Sequence, residues 1–399
     1  MARNIPREED FDEESLRPAE KRRRRRQKAR RRMVRRLIAL ILIVVLVAVA
    51  WTHWDTLAPD KLVDKFQDSF GGGAGSYPVD ISGANARRLV QCQNYTVLLS
   101  DSYLTFYNAD GGEVKRYASL ASNALLRQAG RYVLLAEQGG TQLQLLTRAA
   151  LVTEVTTEYT ILSVAVNAKG QMAVLSEGPQ GYAVQVTVYS RQGKVLYTRS
   201  RNQLATEVAL SENGKQVALL SVGADNGDLD TTISVFSINT TEQEATCTYV
   251  TDDVLLYRLE YLSGGWLSAI GEDGAVLLDT DDGLATVYTL GDQRLLGYAV
   301  ADETLALVTR NYGDTEGGQV QVVNKKGEPL SLTDFTGDFR HLSATDSKYA
   351  LLTDEAVTEV TASGGGRTAS IEADGQQAVL VGGKAVVLGL NMLQAYTLK

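Results

Sequence analysis

YVLLAE, residues 132–137, is a short apolar run closed by a carboxylate, and relatives of it recur along the whole chain. They are TVLLSD from Thr96, MAVLSE from Met172, VALLSV from Val217, WLSAIGED from Trp266, LALVTR from Leu305, YALLTDE from Tyr349 and AVVLGL from Ala385. Their starts lie roughly 35 to 50 residues apart, which is the spacing of propeller blades. A run without polar alternation fits a strand covered on both faces. Each is followed by a turn and an alternating strand, as in YLTFYNADGG from Tyr103, VQVTVYSRQGK from Val184 and ISVFSINTT from Ile233. A fourth, more polar strand then follows, such as EVKRYASL from Glu113 or KVLYTRSR from Lys194. Buried inner strands and a polar outer one are what a radial stack of four-stranded sheets requires.

The two ends of this pattern complement each other. After the run at Ala385 only one strand remains, MLQAYTLK to Lys399, so the last unit lacks its outer strand. A spare extended segment, YPVDIS from Tyr77, opens the domain, and pairing it with the C-terminal three would close the ring without an open sheet edge. The expected fold is all-β, a β-propeller of eight blades, with seven as the alternative if two weak units merge.

Composition narrows the chemistry. The 399 residues are 44% hydrophobic and 22% charged, with 36 Gly against 6 Pro, which excludes disorder over most of the chain. Two His and two Cys in total leave little from which to build a His/Cys metal centre, a Cys nucleophile with its base, or a disulfide framework. Cys92 and Cys247 fall in the first and fourth units, too far apart on a propeller to bond, and read as small buried hydrophobes. Within the folded domain His341 is the only His, and it reads as structural rather than as a general base.

The N-terminal part has a different character. Residues 1–36 hold 15 Lys/Arg against 7 Asp/Glu, and the remainder of the chain 25 against 41. Within this tail an acidic patch, Glu8 to Glu14, precedes a basic run from Lys21 to Arg36, and such charge blocks repel themselves, so residues 1–36 read as a disordered cytoplasmic tail. Directly after Arg35 and Arg36 comes LIALILIVVLVAVAW, residues 37–51, which Thr52, His53 and Trp54 extend. At about 1.5 Å per residue, residues 37–54 are just long enough to cross a hydrocarbon core. Basic residues before Leu37 and the pair Trp51 and Trp54 after it fit the positive-inside rule and an aromatic belt. The expectation is a single-pass transmembrane helix in the plasma membrane, with the N-terminus cytoplasmic and the C-terminal domain extracellular; cleavage after Ala50 is the alternative. The Arg-rich run reads as a topology determinant lying on anionic headgroups in preference to a nucleic-acid site. Residues 55–76 form a stalk helix, with Leu62, Phe66 and Phe70 on one face, and a Gly-rich linker; residues 77–399 are the propeller.

The tail, single span, Gly hinge and propeller together resemble an uncharacterised family of Gram-positive bacterial single-pass membrane proteins with an extracellular β-propeller, a domain of unknown function. The resemblance covers essentially the full chain, rests on layout, and implies no known activity or site. Signatures of better-known propellers are missing: the only Trp-Asp dipeptide, Trp54-Asp55, precedes the domain, which itself holds one Trp, Trp266.

Three connections between the second and third strands are longer than tight turns need: residues 177–182 (EGPQGY), 223–230 (GADNGDLD) and 311–318 (NYGDTEGG). Falling in blades three, four and six, they crowd one sector of one face, where long loops on a rigid scaffold carry binding. Glu177, Tyr182, Asp225, Asp228, Asn311, Tyr312 and Asp314 are the expected partner-binding residues. Asp225, Asn226, Asp228 and Asp230 surround Gly227 and form a candidate Ca²⁺ site, although the spacing is not that of an EF-hand loop. No pair of carboxylates stands out for catalysis. The reading is a non-enzymatic, membrane-anchored propeller that binds an envelope protein or cell-wall glycan as scaffold or sensor. The alternative is a surface polysaccharide hydrolase or lyase using acidic residues at the propeller mouth.

Overall fold

Eight four-stranded antiparallel sheets are arranged as blades around a central channel in the computed structural model of the chain. The structure describes residues 73–399 apart from 120–122, 226, 240–243, 253 and 373, and of Asp225 and Asp228 only the backbone. The expected tail, span and stalk, including Arg35, Arg36, Leu37, Trp51 and Trp54, lie outside the described residues. Among the described residues no helix is long and apolar enough to cross a membrane.

Seven blades are continuous in sequence: residues 86–118, 124–156, 161–201, 205–251, 256–289, 293–335 and 339–370, numbered one to seven here. Blade eight combines Gln377–Val381, Lys384–Leu388 and Met392–Thr397 with the N-terminal strand Val79–Asp80. Val79 pairs with Leu393 and Asp80 with Met392, and the Ile81 amide donates to the Asn391 carbonyl at 2.8 Å. The ring therefore closes through Val79–Asp80, as expected from the spare segment at Tyr77, and the blade count is eight.

The eight apolar runs are the second strands of the eight blades, and their sequence follows from where they sit. The hydrophobic core consists of eight separate layers, one between each pair of neighbouring blades. A second strand contributes to two layers at once. In blade one, Val97 and Leu99 face blade two while Leu98 faces blade eight. Both faces are buried, so alternation disappears. The outer strand Glu113–Ala118 meets solvent on its exposed side and keeps its polar residues.

First strands of successive blades line the channel, and most carry a β-bulge at the same register. The shift falls between Ala86 and Arg88, Ile161 and Ser163, Ala205 and Glu207, Leu256 and Arg258, Leu295 and Gly297, and Phe339 and His341. A bulge re-aims the side chain that follows it. At Gly297 any Cβ would stand 2.6 Å from the Phe339 ring of the next blade, so a larger residue there would have to push that ring aside. Cys92 and Cys247 are buried and are not joined by a disulfide.

Candidate functional site

Alternating strand direction puts the second-to-third connections and the links to the next blade on one face, called the loop face below. On it, the expected binding residues take three different local structures. Residues 178–183 form a turn in which the Tyr182 amide donates to the Pro179 carbonyl at 2.9 Å, leaving the Tyr182 ring exposed and Glu177 exposed at the strand end. Residues 312–317 form a longer loop, with Asn311, Tyr312 and Asp314 exposed and the Asn311 side chain donating to Asp314 at 3.0 Å. This loop is held from beneath by Arg310, a buried residue that the sequence did not single out. Its guanidinium donates to the carbonyls of Gly317 at 2.6 Å and Thr315 at 2.5 Å. Residues 223–230 are not a loop. Strands Gln216–Asp225 and Asp228–Ser237 continue in unbroken register to Asp225 opposite Asp228, so the segment is a projecting β-hairpin. Gly and Asp near the tip give it the look of a turn, but the flanking Val222, Ala224 and Leu229 are compatible with a paired ladder.

Of the four candidate Ca²⁺ ligands, only the side chain of Asp230 is described, and one of its carboxylate oxygens is buried without a hydrogen-bond partner. Among the described residues no group of three or more His, Cys, Asp and Glu is arranged to hold a metal ion. The Asp-rich turn at 279–283 is closed by its own backbone: Asp279 accepts from the Asp281 amide and Asp282 from the Leu284 amide.

The loop face also carries exposed apolar side chains. Leu204 links blades three and four, Leu229 (58% exposed) lies on the projecting hairpin, and Leu255 and Tyr257 stand where the chain enters blade five. With Tyr182 and Tyr312 (64% exposed), they spread over adjoining blades three to six.

The second candidate site is the channel, a cavity of about 880 Å³. Its charged residues on the first strands are Arg88, Arg127, Glu207, Arg258, Glu260 and Arg340, with Tyr298 and His341 among them, and Glu212, Asp302 and Asp346 line it from the turns that follow. Glu207 accepts from the Ser163 hydroxyl at 2.8 Å and from Arg258, and Arg127 lies 3.9 Å away. Both its oxygens are engaged. Glu260 is accessible from the bore yet ringed by protein; burial raises its pKa and the neighbouring arginines oppose the rise. Burial pushes the Tyr298 hydroxyl up to about 12, so it stays protonated. Acid–base cleavage of a glycoside needs two cooperating carboxylates, and here one is locked to Ser163 and Arg258.

His341 accepts a hydrogen bond from the Ala378 amide through Nδ1 at 3.3 Å, bridging blades seven and eight. Burial, and secondarily Arg88, depress its pKa from about 6.5 to about 4. The unfolded chain therefore binds this proton more tightly, and stability supplied by neutral His341 is full above pH 6.5 and is lost as pH falls toward 4. His341→Gln is expected to flatten the unfolding free energy between those limits by at most about 3 kcal/mol, measured by urea titration across pH. An unchanged acid limb would contradict this assignment.

Fold and site together define an eight-bladed β-propeller with a charged bore and several exposed apolar side chains on its loop face. The chain belongs to a family described as a family of unknown function (DUF5711), which matches residues 76–384. No curated protein matches the sequence. Among solved structures, the chain is similar to the Cps50 (Swd1) β-propeller domain of Myceliophteria thermophila, at 12% identity, a TM-score of 0.48, and coverage of 69% of this chain and 96% of that one. It is also similar to the Pan2 WD40 domain of Neurospora crassa, at 7% identity, a TM-score of 0.45, and coverage of 81% and 97%. Hydrazine synthase of Kuenenia stuttgartiensis matches at 11% identity and a TM-score of 0.46, with 69% and 95% covered.

Proposed function

We propose that this protein is a docking scaffold, a propeller tethered outside the plasma membrane of a bacterial cell by residues 37–54, that holds a protein of the cell envelope on its loop face. The observation that carries the reading is that blades three to six present six exposed apolar side chains, Tyr182, Leu204, Leu229, Leu255, Tyr257 and Tyr312, on one face. Leucine side chains favour a protein partner over a glycan, since burying apolar surface drives protein association, whereas aliphatic groups offer no hydrogen bonds to sugar hydroxyls. The tether is supported by the basic run ending at Arg36 and the apolar stretch from Leu37, flanked by Trp51 and Trp54.

The test is a fourfold variant, Tyr182→Ser, Leu204→Ser, Leu255→Ser and Tyr312→Ser. All four side chains are about half exposed or more, so the expected change in unfolding free energy is within about 1 kcal/mol. Partner retention in affinity isolation from membranes is expected to be lost. Full retention by a folded variant would overturn the docking reading.

A further inference from the structure

We propose that the central channel is a binding site for a small oxyanion, a molecule bearing a carboxylate or phosphate group, received between Arg88 and Arg127. The inference is independent of the docking reading, because the channel opens at the other end of the ring. Its mouth is lined by the turns joining first to second strands, at Gln93, Gly130, Ala168, Ser263 and Asp302. These turns lie on the face opposite the loop face. The cavity, about 880 Å³, is in the range that encloses a small-molecule ligand.

The charges in the bore do not balance internally. On the first strands four guanidiniums, those of Arg88, Arg127, Arg258 and Arg340, face two carboxylates, and Glu207 is already committed to Ser163 and Arg258. Arg127 reaches Glu207 only at 3.9 Å and spends one donor on the Leu126 carbonyl at 3.3 Å. Arg88 makes no hydrogen bond or ion pair with any described residue; its electrostatic neighbours are Arg127 and Arg258, which repel it, and Glu260 and Tyr298, which do not. His341, beside Arg88, is held neutral by its surroundings and adds no further charge to the cluster. Two guanidinium forks with free donors, brought together from neighbouring blades over a cavity, match the planar two-oxygen geometry of carboxylate and phosphate. An oxyanion would relieve the repulsion among the arginines and supply the acceptors they lack.

The mouth carries the opposite sign. Asp302, Glu212 and Asp346 lie close enough to interact, and burial together with the other two raises the Asp302 pKa. They stand four to five strand residues from the arginines, roughly 15 Å at about 3.3 Å per residue. That exceeds the screening length of about 8 Å at physiological salt, so the arginines set the potential on the channel floor.

The test is calorimetric titration of the purified full-length chain with citrate and with inorganic phosphate. Saturable binding of either supports the proposal, and the tighter of the two tells carboxylate from phosphate as the preferred group. Arg88→Gln and Arg127→Gln are each expected to weaken it at least tenfold, whereas Lys169→Gln, in a turn at the mouth, should leave it within twofold. Arg88→Lys restores charge without the fork and should fall between. Arg88 makes no hydrogen bond or ion pair with a described residue, and its attraction to Glu260 is offset by repulsion from Arg127 and Arg258, so its variants are expected to unfold within about 2 °C of the wild type, which separates lost binding from lost folding. No saturable binding of either anion, or binding indifferent to both arginines, would overturn the proposal.

Discussion

Deleting residues 72–81 is expected to destabilise the propeller by more than about 5 kcal/mol and to make it aggregate. The segment is short, but three kinds of interaction depend on it. Ile81 is 6% exposed and packs with Tyr77 and Val79 in the layer between blades eight and one, and truncating one such buried aliphatic side chain alone costs about 2–5 kcal/mol. The pairing of Val79 with Leu393 and Asp80 with Met392 covers the first two residues on the outward edge of Met392–Thr397. Without it that strand becomes an open edge, a template for pairing with another chain. Gly73 further accepts from the Asn108 side chain at 3.0 Å, tying the incoming chain to blade one. Thermal unfolding and size-exclusion chromatography read both effects. Ile81→Ala should cost about 2–4 kcal/mol without aggregation, since the strand pairing survives. A deletion variant that unfolds at the wild-type temperature would show that the ring does not depend on this closure.

Glu207→Ala is expected to be the most damaging single change in the bore, at about 2–3 kcal/mol. The carboxylate is 13% exposed and serves Ser163, Arg258 and Arg127 from three different blades. Removing it leaves the guanidinium of Arg258, one-third exposed, without its partner. Breaking a fully buried pair in this way costs about 3–5 kcal/mol, and the water in the channel lowers that figure. Glu207→Gln keeps the shape and an acceptor for Ser163 and should cost less than the alanine variant. Urea unfolding distinguishes the two, and equal stability of wild type and Glu207→Ala would remove the account of the channel as an electrostatically coupled belt.

The fold was legible because its decisive positions obey a simple rule. Residues such as Val97, Leu98 and Leu99 lie between two core layers, so their runs are apolar on both sides and repeat at blade spacing. The closing strand was legible because the C-terminal unit ends one strand short. The channel was not. Arg88, Glu207 and Arg258 sit in first strands that read as ordinary half-exposed strands, and only the bulge before each of them brings them to a common level. Polar residues recurring at that one place in successive first strands were the available signal, visible only once the register is known. The hairpin at 223–230 reads as a loop in the sequence for a related reason: Gly223 and Gly227 mark turns in most contexts, but here Gly223 lies within a paired strand opposite Asp230. Arg310 leaves no mark in the sequence because its role is to hold the backbone of the neighbouring loop, which no spacing encodes.

The most direct test of the docking claim is site-specific photo-crosslinking in living cells, with the photoreactive residue placed in turn at Tyr182, Leu255 and Tyr312 on the loop face and at Asp282 and Lys326 on the opposite face. All five are exposed. The account predicts that the three loop-face positions capture one and the same envelope protein and that the two opposite positions do not. Capture of that protein equally from both faces, or no protein from the loop face, would contradict it.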